Sequence, residues 1–246
     1  VASAPAGLTI NSAGAWTFDA ADGEYDHLAA GATQNVVVSY EVTDDLGESA
    51  TNSFTITVTG TNDAPVATYT TASSVNEGAA TISGTLTSTD VDRTDGATYT
   101  LVGSAIAGLT INSNGNWTFN PTATAYNHLA DGVTQTVTVN YLVSDSHGGS
   151  DAESFTITVT GTNDTPSATY TTASSVNEGA ATISGQLTAS DADDGASLTY
   201  SVASAPAGLT INSAGAWTFN AAHGAYDHLA AGATQNVVVS YKVTDN

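Results

Sequence analysis

The chain has 246 residues and sets 24 acidic side chains against two basic ones, Arg93 and Lys242, for a formal charge of -22. That balance excludes binding through a phosphate backbone, so nucleic acid is not an expected partner. No run of roughly eighteen uncharged apolar residues offers a membrane span, and no basic flank followed by an apolar run offers a signal peptide. Cysteine and methionine are absent, so stability must come from cores, sheet ladders or sites for hard metal ions rather than disulfides or thiolate centres.

In chain order, the first patterned stretch is "GLTINSAGAWTF". It puts Leu8 and Ile10, then Trp16 and Phe18, on two strands around an Asn-Ser-Ala-Gly turn in which Gly14 is free to take positive φ. "YDHLAAG" follows as a turn too short for a stable helix. In "NVVVSYEVTD", Val36, Val38, Tyr40 and Val42 face one way and Val37, Ser39, Glu41 and Thr43 the other; in "SFTITVTG", Phe54, Ile56 and Val58 alternate with threonines. A period of two marks half-buried strands. After the joint "VTGTNDAP", further strands are predicted over "ATYTT", "ATISGTLTSTD" and "ATYTLV", giving about seven strands per unit, the pattern of a β-sandwich.

The whole pattern recurs. Val1 to Phe18 returns unchanged at Val202 to Phe219, and Thr61 to Gly84 differs from Thr162 to Gly185 only at Ala64/Thr165 and Val66/Ser167. Trp16, Trp117 and Trp217 mark a period of about 101 residues. The expected division is residues 1–60 as the C-terminal part of one repeat, 61–161 as a complete repeat, and 162–246 as a third lacking its last strand.

Acidic residues gather at strand ends and joints. In the complete repeat they are Asn62 and Asp63 at the joint, Glu77 in "SVNEG", Asp90 and Asp92 in "STDVD", and Asp145 in "YLVSDSHGGS"; the third repeats them at Asn163, Asp164, Glu178, Asp191, Asp193 and Asp245. Hard cations such as Ca2+ take six to eight oxygen ligands, and Asp-x-Asp on an extended segment points two carboxylates to one side. Without a cation, carboxylates so gathered repel one another.

These motifs, in this order and spacing, resemble the inter-domain calcium motifs of cadherin repeats. With "GNWTFNPTATAYNHLADG" they are more similar still to the cadherin-like VCBS repeat found in tandem in giant bacterial repeats-in-toxin adhesins. The resemblance covers nearly the whole chain. It implies an all-β fold of tandem cadherin- or immunoglobulin-like β-sandwiches in an elongated rod, calcium held at the joints against neighbouring repeats, secretion to the bacterial cell surface, and a role as a calcium-rigidified extender in adhesion and biofilm formation. Carried over residue by residue, the first joint would use Asn62, Asp63, Asp90, Asp92 and Asp145. The second would use Glu77 with Asn163, Asp164, Asp191, Asp193 and Asp245. The linker departs from the cadherin Asp-x-Asn-Asp-Asn, since Gly60 and Ala64 replace its outer acid and amide, so one or two ions per joint are expected rather than three.

The competing readings are a sandwich that binds a glycan or surface protein and a non-catalytic stalk of a secreted enzyme. The tryptophans and Tyr40, Tyr141 and Tyr241 are read as core rather than as stacking platforms for sugars. His27, His128 and His228 share one slot and are assigned to loop packing, while His147 and His223 occur once each and are read as incidental. Neither a nucleophile elbow nor a spaced second histidine supports an enzyme.

Overall fold

The computed structural model describes residues 4–92 and 94–245. Arg93, half of the basic complement, lies outside the described residues, as do Val1 to Ser3 at the head of the first repeat copy and Asn246. Among the described residues the secondary structure is entirely strand and turn.

The first repeat copy holds β1 (Leu8–Ile10), β2 (Trp16–Phe18), β3 (Thr33–Thr43) and β4 (Ser49–Thr59). The second holds β5 (Val66–Ala67), β6 (Ser73–Asn76), β7 (Ile82–Thr85), β8 (Ser88–Thr89), β9 (Thr98–Leu101), β10 (Leu109–Ile111), β11 (Asn116–Phe119), β12 (Thr134–Ser144) and β13 (Ser150–Thr160). The third holds β14 (Ser167–Ala168), β15 (Ile183–Gln186), β16 (Ala189–Ser190), β17 (Thr199–Ser201), β18 (Leu209–Ile211), β19 (Ala216–Phe219) and β20 (Lys242–Thr244). Pairing is antiparallel in every register resolved, with sheet orders β10-β11-β7 and β6-β13-β12-β9 in the second copy and β15-β19-β18 in the third.

Contacts divide the chain into two compact units. The first comprises Val1–Ser73, Thr81–Asn120 and Thr136–Ile157. Its buried side chains include Trp117, Phe119, Val139, Tyr141, Val143, Phe155 and Ile157, all on the inward positions of the period-two pattern, and a smaller cluster of Tyr25, Leu28, Val36 and Val58. Aromatic rings interlock there: Trp117 lies 5.0 Å from Phe155, and Tyr69 meets Phe155 edge-on at 5.2 Å. The second unit comprises Ser74–Ala80, Pro121–Gln135 and Thr158–Asn246, with Tyr126, Leu129, Val159, Leu187, Leu209 and Tyr226 buried.

The "LTI…WTF" hairpin forms three times in the same register, Leu8↔Phe18, Leu109↔Phe119 and Leu209↔Phe219. Its turn glycine has φ of 83° at Gly14 and 85° at Gly115, a region that only glycine occupies at low cost. Opposite the tryptophan, β7 and β15 each place a glycine, Gly84↔Trp117 and Gly185↔Trp217, and a Cβ on Gly84 would fall 2.7 Å from the Trp117 indole. That missing side chain is the slot the indole fills.

Three sequence expectations are modified. Of "ATYTT" only Ala67 is in a strand, as the second residue of β5, because the Tyr141 hydroxyl takes the place of a ladder partner: it accepts from the Tyr69 N–H at 3.2 Å and donates to the Tyr69 carbonyl at 3.0 Å. "ATISGTLTSTD" divides at the buried Leu86 into β7, which pairs with β11, and β8, which pairs with β5. The counterpart of β3 and β12 in the third copy is a strand only at β20, where β17 pairs with it, whereas β3 is held along eleven residues by β4.

Trp117 is 1% exposed and Trp16 48%, although both sit in the same hairpin. Trp117→Ala is therefore expected to cost about 3–5 kcal/mol, and Trp16→Ala clearly less. Urea denaturation of the two variants beside the unsubstituted chain measures the difference; equal costs would contradict this account of the slot.

Candidate functional site

Strand pairing gathers the acidic residues. The register Val66↔Thr89 and Ala67↔Ser88 between β5 and β8 sets the joint residues Asn62 and Asp63 beside the loop that follows β8, and Ser167↔Ser190 between β14 and β16 does the same for Asn163 and Asp164. Each linker then docks through its backbone. The Asp63 N–H donates to Asp92 Oδ2 at 2.8 Å and the Asp164 N–H to Asp193 Oδ2 at 2.9 Å. Within each Asp-x-Asp, the second residue's N–H donates to the first carboxylate, Asp92 to Asp90 at 2.9 Å and Asp193 to Asp191 at 3.0 Å.

The first cluster, wholly within the first unit, also draws in Asp145 from the turn after β12. Asn62 Nδ2 donates to Asp145 Oδ2 at 2.9 Å, and the N–H groups of His147 and Gly149 donate to Asp145 Oδ1 at 2.7 and 2.9 Å. These donors, the Asn62 amide foremost, hold the Asp145 carboxyl below the usual range. Asp63 moves the other way: desolvation raises it, and the charges of Asp92, Asp26 and Asp90 add to the rise. Asp92 Oδ1 and Asn62 Oδ1 are buried with no hydrogen-bond partner.

The second cluster lies wholly within the second unit. Glu77, Asp164 and Asp193 bring carboxylate oxygens within 4.8 Å of one another. Glu77 and Asp193 are buried, and Glu77 Oε2, Asp164 Oδ2, Asp191 Oδ2 and Asp193 Oδ1 are all buried without a hydrogen-bond partner. Desolvation raises Glu77, partly offset by a backbone N–H from Thr162, and raises Asp164, to which Asp193 and Asp191 add repulsion. Asn163 Nδ2 donates to Asp245 Oδ2 at 3.1 Å, attaching the residue that follows β20. Glu178, the third copy's equivalent of Glu77, is not in this trio.

Three further features shape the clusters. First, Gly60 and Gly161, where cadherin linkers carry an acid, have no room for one: a Cβ at Gly60 would overlap the Leu28 and Ala29 carbonyl oxygens, and at Gly161 those of Leu129 and Ala130. The two glycines are bonded into the Tyr-x-His-Leu loops instead, Gly60 N to Ala32 O at 2.8 Å and Gly161 N to Val133 O at 2.7 Å. Second, those loops take part in the clusters, since Asp26 adds charge beside Asp63 and the His128 carbonyl accepts from Asp194 N–H at 2.9 Å. Third, His147 is not incidental: its Nδ1 lies 2.8 Å from Asp95 Oδ2, which raises the His147 pKa. The loop glycines were visible as departures from the cadherin motif; the His147 contact joins residues 52 apart with no local signal.

The donor set suits a hard cation. Every unpartnered atom in the clusters is a carboxylate or amide oxygen, the ligand type of calcium, and none is a nitrogen or sulfur that would favour a transition metal. Two ionised carboxylates 4.8 Å apart repel by about 3 kcal/mol at an effective dielectric constant near 20, so a cation there would remove a standing repulsion. Asn62, Asp63, Asp90, Asp92 and Asp145 are the groups available to the first cluster. Glu77, Asp164, Asp191 and Asp193, with Asn163 and Asp245 at the margin, serve the second.

Comparison with known proteins agrees with this architecture. Residues 62–161 match the bacterial cadherin-like domain and residues 163–246 the bacterial Ig domain. No curated protein sequence matches the chain. Among solved structures, the chain is similar to a protocadherin GammaB4 extracellular domain (19% identity, TM-score 0.43, over 88% of this chain and 38% of that one). It is also similar to mouse cadherin-23 EC22-24 (16%, 0.48, over 87% and 72%) and mouse protocadherin-24 EC1-3 (18%, 0.46, over 89% and 75%). The chain thus spans well under half the length of the first of these. The strand pattern and the two domain matches define an all-β chain of tandem β-sandwich modules. No helix of the described residues is long and apolar enough to cross a membrane.

Two outcomes follow from the geometry. A Cβ on Gly149 would overlap Asp145 Oδ2 and come within 2.8 Å of the Ala64 Cα, so Gly149→Ala is expected to destabilise the chain by about 1–3 kcal/mol, read by chemical denaturation. Glu77 and Asp164 carry raised folded-state pKa values, so the folded chain binds those protons more readily than the unfolded one. The stability this contributes is fully present below the ordinary carboxylate values and is lost as pH rises through the raised ones. In EDTA, the melting temperature should therefore rise as pH falls from neutral towards that window, and Glu77→Gln should flatten the rise.

Proposed function

We propose that the chain is a calcium-stiffened extender segment of a bacterial surface adhesin, built from tandem cadherin-like VCBS repeats of the repeats-in-toxin adhesin type. Its repeats would run 1–60, 61–161 and 162–246, with calcium at the two acidic clusters joining neighbouring copies. Such a segment works outside the cell, spacing an adhesive region from the envelope and supporting cell adhesion and biofilm formation. Its chemistry is binding rather than turnover. The observation that carries this reading is the convergence of buried, unpartnered carboxylate oxygens from Glu77, Asp164 and Asp193 in a chain with almost no basic residues. The bacterial cadherin-like match over residues 62–161 supports it.

When bound, calcium supplies positive charge to oxygens that otherwise repel. The chain's own residues do the rest: Asp92 and Asp193 fix the linker N–H groups, and Asn62 and Asn163 tie in Asp145 and Asp245. The stabilisation gained at each site is about 2.7 kcal/mol at a calcium concentration one hundred times Kd. Adding EDTA should lower the melting temperature and broaden the size distribution seen by small-angle scattering, with recovery on adding Ca2+. Identical melting and scattering in EDTA and Ca2+ would defeat the proposal. Asp193→Ala should abolish part of the calcium-dependent gain while leaving the Asp90 and Asp92 cluster responsive.

A further inference from the structure

The turn after β12 is built without any need for a histidine. Asp145 Oδ1 accepts the N–H groups of residues 147 and 149, and in the first copy Asp44 Oδ1 accepts those of Leu46 and Glu48 at 2.9 Å each. The side chain between them is Leu46 in one copy, 88% exposed, and His147 in the other. His147 does not simply project into solvent. Its Nδ1 sits 2.8 Å from Asp95 Oδ2, on a carboxyl side chain only 2% exposed, with the Ser146 hydroxyl 3.3 Å from the same nitrogen. An ionised carboxylate only accepts, so Nδ1 carries the proton. Asp95 in turn donates its backbone N–H to the Asp92 carbonyl at 3.2 Å.

This contact joins the two loops that must converge at the first cluster. Asp90 and Asp92 lie on one and Asp145 on the other, and the β9–β12 ladder that holds them stops at Thr98↔Ser144, short of both. At the second cluster Asp194, which like Asp95 precedes the glycine after an Asp-x-Asp, uses its N–H on the His128 carbonyl. We propose that His147 is a positioning residue which, through Asp95, clamps the Asp145 turn to the Asp90–Asp92 loop and so preorganises the first cluster for its cation. Asn62 Oδ1 and Asp92 Oδ1, buried and unpartnered, are the oxygens held ready. The assignment rests on calcium binding at that cluster. Loops already locked together lose less freedom when the ion arrives, and groups that orient metal ligands from behind are worth about 10–100-fold in affinity.

The test is calorimetric titration of the full 246-residue chain with CaCl2 after removal of divalent ions, with Asp92→Asn used to identify the heat of the first cluster. His147→Leu, which installs the residue the same turn tolerates at Leu46, should weaken that class about tenfold or more and leave the other class unchanged. His147→Asn, whose amide N–H can donate to Asp95 from the place of Nδ1, should recover most of the loss, and the melting temperature in EDTA should be the same for all three chains. An unchanged first-class affinity in His147→Leu, failure of asparagine to recover it, or a lower melting temperature in EDTA would each overturn the clamp while leaving calcium binding intact. Absence of any calcium heat in the unsubstituted chain would instead overturn the extender proposal and the clamp with it.

Discussion

Buried carboxylate oxygens without a counter-charge are the constraint around which this chain is organised. A carboxylate removed from water is stabilised by a cation or by several N–H donors, and otherwise its pKa rises. Asp145 has several donors and is held low; desolvation pushes up Glu77, which a backbone N–H from Thr162 only partly offsets, and Asp63 and Asp164. Lys242 is exposed on β20. Among the described residues the fold therefore packs like charges together.

What makes that affordable is that none of the clustering depends on the acids attracting one another. Backbone N–H groups of the linker are captured by the Asp-x-Asp carboxylates, and the short β5–β8 and β14–β16 pairs set the linker in place. Gly60 and Gly161 let the linker's start lie directly against the carbonyls of the Tyr-x-His-Leu loops. A side chain there would push those loops away, so the glycines that look like lost ligands are what bring Asp26 into the electrostatic neighbourhood of Asp63. Ligand count has been traded for closeness of backbone.

Much of this was legible in the sequence because it is local or periodic. The hairpin turns follow from Asn-Ser-x-Gly, the long strands from alternation, and the acidic set from its return in two copies. What was hidden depends on distant partners. Tyr69 looks like the centre of a strand, yet its backbone polar groups are satisfied by a hydroxyl 72 residues away. The break at Leu86 arises because its flanks pair with different strands. Trp16 and Trp117 share a motif, but of the two only Trp117 has a glycine-bearing strand across from it, so closely similar local sequence gives a half-exposed ring in one place and a core in the other.

Repetition also separates what the two clusters share from what they do not. Both keep the Asn-Asp linker, the Asp-x-Asp loop and the amide that reaches the carboxylate after the long strand. Behind those groups stand a histidine ring on Asp95 in the first and a loop carbonyl on the Asp194 N–H in the second. Changing an acid alters the number of oxygens and the charge at once, whereas changing the brace alters only how freely the same oxygens move. In an array of near-identical copies the second route tunes each cluster by itself, because a single substitution such as leucine for histidine in a turn leaves the turn's own hydrogen bonds in place. Divergence between copies is therefore most informative where it falls just outside the acidic motif, on residues that a motif search passes over.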